Sequence, residues 1–189
     1  MNWRIPGTTL TGTRSDMDSV CSQFQAMFLG GGIAMSQVSA ITGLDAYLIQ
    51  NWVKRGYLSK PEQKRYTLNQ LCRIITINML RGPLSMEQIC ELIAYVNGVL
   101  DREDDDLISD ADLYFLFLRL AAQARDLDSR QQWNQAIEAT LLDYREPIPG
   151  AKERVAQVLR IMLTAWVSAR MAQEADRMMA SLELTKKEG

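Results

Sequence analysis

The sequence predicts an all-α chain with at most a very short β wing, on three observations. Helix-start signatures recur: Thr67 with Gln70, Ser85 with Gln88, Ser109 with Asp112 and Ser129 with Gln132 each set a hydroxyl three residues before an amide or acid that can close the first turn. Apolar residues near these starts recur at three- and four-residue spacing, the period of a helix with one buried face. No strand-type alternation runs beyond a few residues, and there is no internal repeat or low-complexity tract.

Taken in order, "MDSVCSQFQAMFL" places Val20, Phe24 and Phe28 four apart on one short amphipathic helix, and "GGG" after it reads as a flexible joint. "SQVSAI" forms a short helix broken by "TG". The next helix, "LDAYLIQNWVKRGYL", buries Leu44, Leu48, Ile49, Trp52 and Val53 and ends at Gly56. "YLSKPEQKRY" holds a proline and three cations between two tyrosines, so a turn or short hairpin is expected. Two capped helices follow, the first with a stripe of Leu71, Ile74, Ile75 and Asn78, the second over "ICELIAYV". "NGVLDREDDDLISD" reads as a boundary and solvated linker, because an acidic run cannot enter a core. Beyond it come "LYFLFLRLAAQA" and "WNQAIEATLLDY", closed by "EPIPG". The last helix, 151–184, carries Val155, Val158, Leu159, Met162, Trp166, Met171, Met178 and Leu182; at about 50 Å it is too long to pack wholly within so small a domain. A partner helix from a second copy is the simplest complement.

Composition narrows the chemistry. A chain of 189 residues, 47% hydrophobic, can bury a core as one large or two small domains. No apolar run reaches the roughly 18 residues of a membrane span and the first residues lack a signal-peptide core, so a cytoplasmic protein is expected. Cys21, Cys72 and Cys90 are too scattered for a disulfide framework or a zinc site and read as buried thiols. With no histidine there is no imidazole for a Ser-His or Cys-His pair, so an enzyme is not expected, and neither is a cofactor or a metal. An enzyme would need a carboxylate pocket, for which Asp104, Asp105 and Asp106 are the dense cluster. The net charge of −2 hides an asymmetry: residues 44–81 carry seven basic side chains against two acidic, and residues 82–112 one basic against nine acidic. A polyanion would meet the first stretch and be repelled by the second.

Residues 35–55 meet the steric needs of a helix-turn-helix. Val38 points inward, Ser39 allows a close crossing, Gly43 can take the left-handed turn, and Leu44, Ile49 and Trp52 close the core. "SQVSAITGLDAYLIQNWVKRGYL…KRYTLNQLCRIITINMLRGPLSMEQICELI" resembles the winged helix-turn-helix of the MerR family of bacterial transcription regulators over about 65 residues. Over most of the chain, "GGG", "SQVSAITGL", "IQNWVKRGY", "INMLR" and "YVNG" are similar to an uncharacterised bacterial family of MerR-like proteins known mainly from Gram-positive genomes. The chain departs from the MerR pattern at Gln50, where the pattern has arginine, at Trp52, where it has tyrosine, and in a shorter wing with Lys64 at the wing arginine.

The resemblance implies a sequence-specific DNA-binding transcription regulator acting on double-stranded DNA. Asp45, Ala46 and Tyr47 would open the helix that enters the major groove, with Gln50 and Asn51 reading bases, since both amides can pair bidentately with adenine. Lys54, Arg55, Lys60, Lys64 and Arg65, with Tyr66 at the end of the wing (59–66), would hold the backbone. Trp52 is expected in the core, and Arg73 and Arg81 in local salt bridges. The expected organisation is an N-terminal helical arm and Gly-rich joint (1–34), a MerR-like winged helix-turn-helix (35–98), an acidic linker (99–109) and an all-helical dimerisation region (110–189). A homodimer would form through helix 151–184, and a small-molecule effector of unspecified identity would bind in the C-terminal half, although its aromatics and methionines read first as core. The alternative is a protein-interaction module that keeps the fold without binding DNA, in line with Gln50, the short wing and a pI near 5.3.

Overall fold

A computed structural model describes residues 2–98, 100, 105–124 and 129–182. Eight helices and two two-stranded antiparallel sheets make up the described chain: β1 (Asn2–Arg4), β2 (Thr11–Thr13), α1 (Met17–Ala26), β3 (Ile33–Ala34), α2 (Met35–Thr42), α3 (Ala46–Lys54), β4 (Arg65–Tyr66), α4 (Leu68–Leu80), α5 (Met86–Asn97), α6 (Asp110–Gln123), α7 (Arg130–Thr140) and α8 (Ala151–Ser181). The chain is mostly helical, and the caps lie where the local signatures put them. The side chains of Thr67, Ser85, Ser109 and Ser129 accept from the backbone N–H three residues on. Asp104 and Leu184, named above, lie outside the described residues, as do several residues of the 99–109 stretch.

At the centre lies α4, with Leu71, Cys72, Ile74, Ile75, Ile77 and Leu80 fully buried. A helix apolar all round must be wrapped on all sides, and α2, α5, α6 and α8 pack against it. Edge-to-face aromatics extend this core, Phe24 against Tyr114 and Phe117 against Trp166. One buried cluster runs from Trp3 to Trp166.

The first 34 residues differ from the expected helical arm. β1 and β2 form a hairpin whose connecting loop is tied to the centre of the protein. A Cβ on Gly7 would lie 2.6 Å from the Ile75 carbonyl oxygen, so the backbone can approach α4 only through a glycine. The Asn78 amide donates to the carbonyls of Gly7 and Thr42, and the Tyr114 hydroxyl to that of Pro6. The expected flexible joint is in part a fixed bend: Gly32, at φ +95°, leads into β3, whose Ile33 and Ala34 pair with Tyr66 and Arg65. The 99–109 stretch is not wholly solvated either. Leu107 and Ile108 are buried, because two large aliphatic side chains outweigh the acids before them.

Among the described residues no helix is long and apolar enough to cross a membrane. The long helix α8 spans 31 residues, about 46 Å, and its two ends differ. Its first half buries Val155, Val158, Leu159, Met162, Leu163 and Trp166, whereas residues 171–182 are all exposed.

Candidate nucleic-acid interface

The chain enters α3 through a tight turn and leaves it through a glycine cap. Gly43 adopts the left-handed conformation, φ +72°, and its N–H closes α2 on the Ser39 carbonyl at 2.8 Å. At the far end Gly56, φ +75°, donates to Val53, and Tyr57 donates to Trp52, the paired bonds of a Schellman motif. Ile49 and Trp52 anchor the inner face, which settles Trp52 as a core residue. The outer face displays Asp45, Tyr47, Gln50, Lys54 and Arg55, with Ala46 and Asn51 half-buried at its edge. Tyr47 is 81% exposed, unusual for an aromatic side chain.

The segment expected as a wing, residues 59–66, follows this helix in the chain. Its tip is a two-residue turn in which Gln63 (φ +46°) and Lys64 (φ +62°) are both left-handed, closed by Arg65 N–H to the Glu62 carbonyl at 2.7 Å. That conformation suits Asn-Gly; held by two L side chains it costs roughly 1–2 kcal/mol per residue. Backbone strain of this kind concentrates at functional sites. The base is fixed from α4: the Gln70 amide donates to the Ser59 hydroxyl and to the carbonyls of Ser59 and Lys60. The Arg65 guanidinium donates to the Gly32 carbonyl at 2.9 Å, holding the strand to the bend before β3.

Lys54, Arg55, Lys60, Lys64 and Arg65 are all exposed, and among the described residues none makes an ion pair. Near them sits Glu87, whose own backbone N–H and the Ser85 hydroxyl hold its carboxyl below the usual range, and which accepts from the Tyr57 hydroxyl. Tyr66 does not belong to this surface. It is 2% exposed, burial raises its phenol pKa, and it is corrected here to a core residue.

Arg73 departs from the local salt bridge expected of it. It is buried and pairs at 3.1 Å with Asp110, 37 residues away at the start of α6, while its Nε donates to the Tyr57 carbonyl at the end of the α3 cap. Arg81 is exposed at the end of α4 and, among the described residues, makes no ion pair. Asn69 adds a link by accepting the N–H of Ala111. The first turns of α4 therefore fasten the segment at 59–60, the end of α3 and the start of α6 to one another. Sequence spacing carried no signal for this hub, since its partners are far apart along the chain.

Residues 17–117 match a family described as a domain of unknown function (DUF1836), and the chain belongs to that family. The matched span begins at α1 and ends within α6, so it holds both Arg73 and Asp110. No curated protein and no solved structure matches the chain.

Proposed function

We propose that this protein is a sequence-specific DNA-binding transcription regulator, with α2 and α3 as a MerR-like helix-turn-helix and residues 59–66 as its wing. The observation that carries the reading is the set of exposed cations at the end of α3 and on residues 59–66, Arg55 alone among them sharing its field with Glu87 in the described residues, together with the amides of Gln50 and Asn51 on α3. Cations in that arrangement suit phosphates, and the two amides offer the donor–acceptor pair that reads adenine in the major groove. The strained turn presents Lys64 at the tip of the wing. Two copies would join through α8, where Ile161, Thr164, Ser168, Met171, Ala175, Met178 and Leu182 form an exposed row at coiled-coil spacing. A dimer of this kind, working in the cytoplasm, would set two recognition helices on a two-fold-related site.

Tyr47 favours a second reading, a protein-interaction module, because an aromatic ring this exposed is a common anchor of protein interfaces. Anisotropy titration with the DNA upstream of its own gene, at two salt concentrations, separates the two. Under the first reading Asn51→Ala weakens specific more than non-specific binding, whereas Lys64→Ala weakens both and lowers the salt slope by about 1. Absence of binding at low salt would sink the first reading.

A further inference from the structure

A cleft of about 370 Å³ lies between the β1–β2 hairpin, the end of α2, the last turn of α4 and the middle of α8. Small-molecule sites span roughly 300–1,000 Å³, so this volume suits a compact ligand. Its walls are charged in one sense: they hold the guanidinium groups of Arg4 and Arg170 and, among the described residues, no carboxylate. In a chain with 23 acidic against 21 basic residues, that lining runs against the balance of the whole molecule. Pro6, Met79 and Trp166 supply hydrocarbon and an indole.

The backbone acceptors around the cleft are already engaged. Tyr114 donates to the Pro6 carbonyl at 2.8 Å, and the Asn78 amide to those of Gly7 and Thr42 at 2.9 and 3.1 Å. The Thr8 carbonyl accepts from Arg4 Nε at 2.8 Å. That bond orients the planar Arg4 fork and leaves its terminal nitrogens with no acceptor among the described residues. The Arg170 guanidinium lies over the Trp166 ring, 4.7 Å from its centroid, which keeps the charge at the cleft. Gln173 adds a neutral amide, able to donate or to accept. What the walls lack is negative charge, so a ligand must bring an anionic acceptor for the Arg4 fork and an apolar body for Met79 and Trp166.

We infer that this cleft binds a small organic acid, its carboxylate paired with Arg4 in the positive field of Arg170 and its hydrocarbon body on Pro6, Met79 and Trp166. The site is independent of whether α3 reads DNA. Arg170 and Gln173 lie off the exposed row of α8 proposed for self-association, so a dimer through that row leaves the cleft open. Calorimetry on the full chain without DNA, at near-physiological salt, with phenylacetate, 3-phenylpropionate and hexanoate is expected to give saturable binding of at least one acid. The matching neutral amide and inorganic phosphate each bind about tenfold more weakly or worse. Arg4→Gln lowers the affinity about tenfold, and Arg4→Lys, which keeps the charge without the fork, about threefold. Arg4 is exposed, so both variants are expected to melt with the parent; Arg170→Gln repeats the test at about threefold should they not. No saturable heat with any of the three acids, equal binding of the amide or of phosphate, or unchanged affinity in a folded Arg4→Gln would overturn the proposal.

Discussion

Replacing Asp110 by alanine tests the hub of α4 most directly. The side chains of Arg73 and Asp110 are 8% and 14% exposed and meet at 3.1 Å. Removing the carboxylate leaves a nearly buried cation whose Nε still donates to the neutral Tyr57 carbonyl at 3.3 Å. Breaking one side of a buried pair costs about 3–5 kcal/mol; the slight exposure and the remaining carbonyl favour the lower end, about 3 kcal/mol. For a chain of this size that corresponds to a fall of roughly 6–12 °C in Tm. Replacing both partners by apolar residues, Arg73→Met with Asp110→Leu, removes the desolvated charges together and is expected to stay within about 1 kcal/mol of the parent. Urea unfolding at unchanged m-value reads both variants, and a double-mutant cycle gives a coupling of at least about 2 kcal/mol. A loss below about 1 kcal/mol for Asp110→Ala, or simple additivity in the double variant, would refute the hub.

Three further outcomes are expected. Gln63→Asn/Lys64→Gly relieves two left-handed L residues and raises unfolding free energy by about 1–2 kcal/mol in urea titration, while the loss of Lys64 lowers DNA affinity in the anisotropy assay. Met171→Glu/Met178→Glu, on side chains 69% and 64% exposed, leaves the melting of the monomer unchanged but abolishes self-association in sedimentation. Stability falls at alkaline pH: burial raises Cys72 well above its ordinary 9.0 and Tyr114 well above its ordinary 10.0. Both groups ionise more readily in the unfolded chain, so their contribution is complete below about pH 9 and is lost as pH rises through the shifted values, at about 1.4 kcal/mol per unit for each group. Cys72→Ala makes that fall shallower above about pH 9 without abolishing it, because burial also raises Cys21 and Cys90 above their ordinary 9.0, as read by urea midpoints across the range.

What the sequence determined by itself was everything set within about one helical turn. The four hydroxyl caps, the glycines at 43 and 56, and the apolar spacing that buries Ile49 and Trp52 each depend on neighbours three to five residues away, so their pattern is written locally. The exposed face of α3 with its amides and cations could be read in the same way, from what the period leaves over.

Tertiary structure decided the rest, because the forces involved act between residues distant in the chain. Three-residue strands have too little alternation to announce the β1–β2 hairpin, and its place against α4 is set by how closely Gly7 can approach Ile75. Tyr66 looked like a wing residue and is core, since its strand pairs with Ile33 and turns the ring inward. Arg73 found its carboxylate 37 residues on, and the arginine-lined cleft drew its walls from the β1–β2 hairpin, α4 and α8. Such partners are chosen by packing: which helices wrap the apolar surface of α4 decides which charges meet, and no local spacing encodes that choice.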